Sequence, residues 1–231
     1  MINVENIDVW GFKHAIRGMR NPMNSWDKSD SGYEPANFCD HSFVVGDNDL
    51  DLMKRLFKAG TEHRKYIRHI FVSMDITAPL YWWKEFDTYK FTDPDLPHID
   101  TNSCSTMHKI AAKEFELDDF SCEHLKDCES VALTEFYDFP CGRRYTPMDS
   151  LNDTIKILNF WRSRYLETKN KSDWWQLIQL LPSSYNQRRT IVFSYETVVS
   201  IIKQRSGHKL DEWRDFVEIL RELPYVIDIV G

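Results

Sequence analysis

Two stretches of this chain carry side chains whose types and spacing could do chemistry. From His69 to His108, a span of about forty residues runs from an imidazole through Ser73 and an aromatic block, Tyr81-Trp82-Trp83-Lys84-Glu85-Phe86. It ends at the hydroxyl-rich Asn102-Ser103-Cys104-Ser105-Thr106-Met107-His108. From Arg205 to Arg214, two guanidinium groups bracket His208 and Glu212. Guanidinium groups offer N–H donors in a rigid planar fork, the geometry that carboxylates and phosphates accept, so a few placed arginines suit a small anionic ligand. A third set, Cys122-x-His124-x-x-x-Cys128 with Cys141 downstream, has the donor types of a zinc site but lacks the CxxC pair that makes such spacing specific, so no metal is expected. Plain structural readings stand beside these. Ser105 has the sequence context of a helix N-cap, and Arg205 and Arg214 could complement a helix dipole or pair with Glu212.

The elements that must position these residues follow from periodicity. Between residues 66 and 76, Ile70, Val72, Met74 and Ile76 alternate with His69, Phe71, Ser73 and Asp75, which predicts a strand with one core face and one mixed face that could meet a ligand. Pro79 suits a first helical turn, and Leu80 to Tyr89 reads as a short helix whose aromatics cover nearly all sides, so they pack in a core or an interface. Upstream, a strand over Ile7–Trp10, a helix over Phe12–Met19 and a breaker-rich loop over residues 21–31 with an exposed Trp26 are expected. A helix follows near 48–59, with Asp47, Asn48 or Asp49 as cap and Gly60 as its stop. Ser103 to Phe115 reads as helix, and 116–148, with no clean period, as an insertion or partner-facing lobe of a single domain. The last eighty or so residues are expected to be helical around Ile155–Tyr165, Trp174–Leu180, Ile191–Ile202 and Leu210–Leu220, with Val226–Val230 as an edge strand.

Composition bounds the function classes. A 231-residue chain that is 42% hydrophobic, with 8 Trp, 10 Tyr and 14 Phe, is too apolar and aromatic to be disordered. The net charge of −7 argues against a nucleic-acid polymer as partner. Five cysteines at irregular spacing suit a reducing compartment. The first residues carry neither a basic nor an apolar leader region, and nothing approaches the roughly eighteen apolar residues of a membrane span, so a soluble cytoplasmic protein without membrane contact is expected.

The order of helix, strand ending in Ala78-Pro79, aromatic helix, hydroxyl loop and helical block after Leu181-Pro182 resembles the flavin-dependent thymidylate synthases, the ThyX family, over residues 48–112 and 174–216. His69 stands ten positions before Pro79, as the family's His does. Where the family has Gln-Trp-x-Arg-His-Arg, this chain reads Glu85-Phe86-Asp87-Thr88-Tyr89-Lys90. Where the family has Asn-Glu-x-Ser-x-Arg-Tyr, it reads Asn102-Ser103-Cys104-Ser105-Thr106-Met107-His108, keeping Asn102 and Ser105. Arg205, His208, Glu212 and Arg214 match a later family stretch, whereas the family's Asn-x-Arg pair falls on Ser194 and Glu196 and another of its arginines on Ile178. Exchanging Arg for an apolar residue removes five donors and a fixed charge, so a family-type nucleotide pocket is only partly rebuilt; Lys90 restores a point charge.

The resemblance implies an α+β fold with a central, mainly antiparallel sheet, flanking helices and a helical C-terminal block. It implies a homotetramer binding FAD between subunits and an FAD-dependent methyltransferase activity in nucleotide biosynthesis, with NADPH and methylenetetrahydrofolate as co-substrates. His69, Tyr89, Lys90 and Asn102 would then hold the cofactor, Ser105 would be catalytic, and Ser105, Arg205, His208 and Arg214 would contact a pyrimidine deoxynucleotide. Loss of the Arg-His-Arg triplet keeps two other readings open: a different pyrimidine modification on the same fold, and a non-catalytic nucleotide-binding or scaffold protein.

Overall fold

The computed structural model of the chain describes residues 2–34, 43–90, 99–126 and 145–230. The first half holds strand β1 (Asn3–Trp10), helix α1 (Phe12–Arg20), short strands β2 (Gly32–Tyr33) and β3 (Phe43–Val44), helix α2 (Asp47–Lys58), strand β4 (Phe71–Pro79) and helix α3 (Leu80–Phe86). Then come β5 (Asp100–Ser103), α4 (Thr106–Lys109), α5 (Pro147–Thr168), α6 (Lys171–Leu180), β6 (Asn186–Ser194), α7 (Tyr195–Arg205), α8 (Asp211–Arg221) and α9 (Val226–Val230). The class is α+β, as expected, with an antiparallel four-stranded sheet in the order β1-β4-β6-β5. The β4–β6 register is fixed at both ends. The Tyr195 amide donates to the Ile70 carbonyl at 2.9 Å and the Leu80 amide to the Tyr185 carbonyl at 3.0 Å, so one strand advances as the other recedes.

The chain forms two compact units. The first comprises Thr77–Glu85 and Ser103–Arg189. Its core gathers Ile110, Phe115, Phe120, Leu151, Leu158 and Leu177 where α5 packs on α6. Thr146, Pro147 and Asp149 start α5 as a capping box: the Asp149 amide donates to Thr146 Oγ1 at 3.1 Å and the Thr146 amide to Asp149 Oδ2 at 2.9 Å. Trp82 and Trp83 are fully buried.

The second unit comprises Ile2–Ile76, Phe86–Asn102 and Thr190–Gly231. The alternation along β4 is realised in full: Ile70, Val72, Met74 and Ile76 are each 0% exposed, while Phe71, Ser73 and Asp75 are half-buried. Helix α1 packs on the turn Lys65–His69, which is possible because Gly11, its N-cap at φ 101°, has no Cβ; one built there would stand 2.0 Å from the His69 carbonyl oxygen.

Asp49 organises the segment between α1 and α2. Its buried carboxylate accepts from Arg20 Nε at 2.6 Å, from the Ser29 and Ser31 hydroxyls at 2.7 Å each, and from the Asp30 and Ser31 amides at 3.2 Å. Burial alone would push this carboxyl up. The hydrogen bonds from Ser31, Ser29 and Arg20, with the Arg20 charge, outweigh burial and hold it below the usual carboxylate range. The cap expected from Asp47, Asn48 or Asp49 is supplied instead by Asp30, whose carboxylate accepts from the Asn48 and Asp49 amides at 2.9 and 3.1 Å.

Four expectations are corrected. The strand begins at Phe71, because Lys65–His69 is a 3-10 turn. Ser103–Phe115 forms helix only over Thr106–Lys109. Ile191 belongs to β6, and a helix begins only at Tyr195. The tail Val226–Val230 is helical, burying Val226 and Ile229 at i, i+3. No helix among the described residues is long and apolar enough to cross a membrane. Cys128 and Cys141 of the zinc pattern lie outside the described residues, among which no group of three metal-ligating side chains occurs.

Candidate functional site

In the second unit, the C-terminus of α7, the turn Asp87–Lys90 after α3, and the start of α8 bring four of the sequence-predicted residues together around Trp213. Helix α7 ends at Arg205 and a Ser206-Gly207 turn delivers His208, whose Nδ1 accepts the Leu210 amide at 3.2 Å at the start of α8. A neutral His208 ring therefore carries its proton on Nε2. The ring stands edge-on to Trp213, 6.1 Å away between centroids. Trp213 is fully buried and Phe86 stacks on it at 17°.

Arg205 lies across this aromatic floor. Its guanidinium carbon is 4.6 Å from the Trp213 ring centre and 5.4 Å from that of Tyr89, and its Nε donates to the Tyr89 hydroxyl at 2.7 Å. That hydroxyl donates onward to Gln204 Oε1 at 3.3 Å, and Gln204 Nε2 to Ser200 Oγ at 2.9 Å. Tyr89 thus stands where the resembled family has the His of its triplet and spends its hydroxyl on orienting an arginine. Lys90 closes the same turn. Arg214 donates to the His208 carbonyl at 3.2 Å and pairs with Asp211. A half-buried guanidinium held against rings and hydrogen-bonded to Tyr89 has little rotamer freedom left to lose, so the arrangement is suited to binding an anion or a polar ring edge.

The other predicted residues sit elsewhere. Asn102 is exposed on β5. His69, exposed at the end of its turn, lines a cleft of about 520 Å³ with Met19, Pro22, Leu56 and Tyr66, none of them from the Trp213 cluster. Burial pushes the Tyr66 phenol well up, so it remains protonated and donates to the Met53 carbonyl at 2.9 Å. Glu196, at the family's Arg position, is buried and accepts from Arg64 Nη2 at 2.6 Å, with Arg68 Nε 3.9 Å away. Reversal of charge at position 196 is thus balanced by two arginines from outside α7.

In the first unit, Ser105 is the exposed N-cap of α4. Its Oγ accepts the His108 amide at 3.1 Å and lies 2.9 Å from His108 Nδ1. A hydroxyl beside an imidazole is an arrangement that general-base activation uses, and the same geometry caps a helix. A second arginine–tryptophan stack that sequence reading missed supports this loop. Arg189 lies 4.3 Å from the centre of Trp83, and its Nε donates to Gln187 Oε1 at 2.9 Å. Gln187 Nε2 then donates to the Cys104 carbonyl at 2.9 Å. The signal was the alternation of Gln187, Arg189 and Ile191, which marks a strand face. Trp213 was missed as a site residue because an aromatic at helical spacing reads as core.

No family model and no curated protein sequence matches the chain. Its fold is that of solved thymidylate synthases of the ThyX type. Thymidylate Synthase X from Helicobacter pylori, with FAD and dUMP, superposes with a TM-score of 0.63 at 16% identity, covering 100% of this chain and 97% of that one. A second structure of the flavin-dependent Helicobacter pylori enzyme, complexed with FAD and dUMP, gives 0.61 at 15%, covering 99% and 96%. The UMP/dUMP methylase PolB from Streptomyces cacaoi, bound with 5-Br UMP, gives 0.58 at 12%, covering 96% and 87%.

Proposed function

We propose that this chain is a divergent ThyX-like flavoenzyme that transfers a folate-derived one-carbon unit to a pyrimidine deoxynucleotide, a methylation of the deoxyuridylate-to-thymidylate type. The observation that carries this reading is the Trp213 cluster, where Tyr89, Arg205, His208 and Arg214 converge although they are scattered over 126 positions of sequence. The ligands of the ThyX and PolB structures support a uridylate as the anion that Arg205 receives.

The residues on the His69 cleft fit a flavin. Met19, Pro22, Leu56 and Tyr66 offer apolar walls to a ring, and His63 and Lys65, the latter beside Glu62, stand next to them for polar groups. When bound, FAD would supply the redox chemistry, taking reducing equivalents from a reduced pyridine nucleotide. The chain's own part is positional: Arg205 fixes an anionic or carbonyl oxygen of the nucleotide, and Tyr89 fixes Arg205. On the other unit, Ser105 and His108 provide a hydroxyl–imidazole pair that can move one proton, from Oγ to Nδ1.

The purified protein should take up FAD with a shift of its visible bands and release tritium from C5-labelled deoxyuridylate when methylenetetrahydrofolate and NADPH are present. A protein that ignores FAD ends the enzymatic reading. A second reading, another modification of a pyrimidine nucleotide on the same fold, is favoured by Thr88-Tyr89-Lys90 replacing Arg-His-Arg; flavin uptake without tritium release would select it.

A further inference from the structure

The segment between α1 and α2 builds a pocket that shares no residue with the Trp213 cluster or the His69 cleft. It measures about 290 Å³, and Trp26, Tyr33 and Phe43 supply its aromatic walls. Large aromatics are normally turned inward, yet Trp26 and Tyr33 are 51% and 56% exposed. Their placement is fixed all the same. Trp26 Nε1 donates to Asn21 Oδ1 at 2.9 Å, and Tyr33 meets Phe43 edge-on at 5.3 Å across the β2–β3 pair. Ser29 and Ser31, which also line the pocket, are held from behind by Asp49.

One helical turn of α1 adds charge. Lys13 and Arg17, at i and i+4, are exposed on the same rim. Lys13 Nζ hangs 5.5 Å over the Tyr33 ring, and among the described residues Arg17 has no ion pair or hydrogen bond. Two uncompensated cations over an aromatic recess, in a chain whose net charge is −7, complement a ligand with a flat ring and an anionic tail. The volume lies just under the roughly 300–1,000 Å³ of ligand pockets, room for one base with its sugar and too little for a dinucleotide. We propose that this pocket binds a nucleoside phosphate, its base against Trp26 and Tyr33 and its phosphates on Lys13 and Arg17, as a site separate from the one that holds the reacting nucleotide.

The test is calorimetric titration of the full chain with ATP, with dTTP and with inorganic triphosphate, in the wild type and in Arg17→Ala, Trp26→Ala and Arg205→Ala. Either nucleoside triphosphate should bind at one site, more weakly as salt is raised, with Kd increased about tenfold in Arg17→Ala and in Trp26→Ala and unchanged in Arg205→Ala. Both rim residues are exposed, so unaltered thermal midpoints check that these variants fold. The proposal is overturned by no binding of either nucleotide at millimolar concentration or by binding indifferent to both rim variants. Loss of binding in Arg205→Ala, or inorganic triphosphate binding as tightly as ATP, also overturns it. Tritium release from deoxyuridylate in Arg17→Ala keeps this failure apart from failure of the proposed reaction.

Discussion

Arg205→Ala removes a cation that lies over two rings and donates to the Tyr89 hydroxyl, and a first measure of its cost follows from that geometry. The guanidinium sits half-buried 4.6 Å from the centre of Trp213, between the exposed pairs worth about 0.5–1 kcal/mol and the desolvated ones worth about 2 kcal/mol. The hydrogen bond from Nε to Tyr89 involves a charged donor, a class worth about 1.5–3 kcal/mol; partial exposure brings it to about 1 kcal/mol. Tyr89 keeps its bond to Gln204 in the variant, so its hydroxyl is not orphaned. The sum is a stability loss of about 2 kcal/mol, equivalent to a fall in Tm of about 4–8 °C for a chain of this length. If the fork also receives the nucleotide, deoxyuridylate binding weakens by about tenfold to a hundredfold. Arg205→Lys separates the two effects: it keeps the charge and loses the planar fork, so binding should stay at least about tenfold weak. Calorimetric titration with deoxyuridylate and thermal melts on the same preparations read both quantities. An Ala variant that melts as the wild type does refutes the stacking estimate. A variant that melts early but binds normally makes Arg205 structural, and a Lys variant that binds normally refutes the argument from fork geometry.

Asp49→Ala strands Arg20 in the interior and should cost about 3–5 kcal/mol by urea denaturation. Because the folded-state pKa of Asp49 is depressed, its contribution is complete above the unfolded value near 4 and is lost as pH falls through the folded one; Asp49→Asn should remove that part of the acid dependence. Gly11→Ala sets a Cβ against the His69 carbonyl in a left-handed backbone and should lower stability by about 2 kcal/mol or more, and a variant melting within a degree or so of the wild type would contradict the close approach. Ser105→Gly retains most of the capping preference while removing the hydroxyl. Tritium release abolished in both Ser105→Gly and Ser105→Ala, with Tm held in the Gly variant, marks the hydroxyl as chemical, and activity surviving in Ser105→Gly marks it as a cap.

What was legible in the sequence was what local pattern alone determines. The core face of β4, helices α2, α5, α6 and α8, and the buried Trp82 and Trp83 follow from period and breakers. Strand β6 was hidden because Ile191, Tyr195, Val198 and Ile202 fall at helical spacing across what is really a strand-to-helix junction at Ser194. The five-residue tail is too short for periodicity to separate strand from helix. In the site, Tyr89, Arg205, His208 and Arg214 were identified by resemblance, but that Tyr89 orients Arg205 is a tertiary fact, with 116 positions between donor and acceptor. Asp30 was invisible as a cap for the same reason: it reaches α2 from a different loop.

That reciprocal grip between Asp30 and Asp49 also has a kinetic consequence. The Asp30 and Ser31 amides end on the Asp49 carboxylate, and the Asn48 and Asp49 amides end on the Asp30 carboxylate. Neither set can be released while the other stays closed, so a segment with the composition of a loose surface loop and the first turn of α2 open as one unit. Their four amide protons should therefore exchange with solvent at a common, slow rate, and Asp49→Asn should speed all four together.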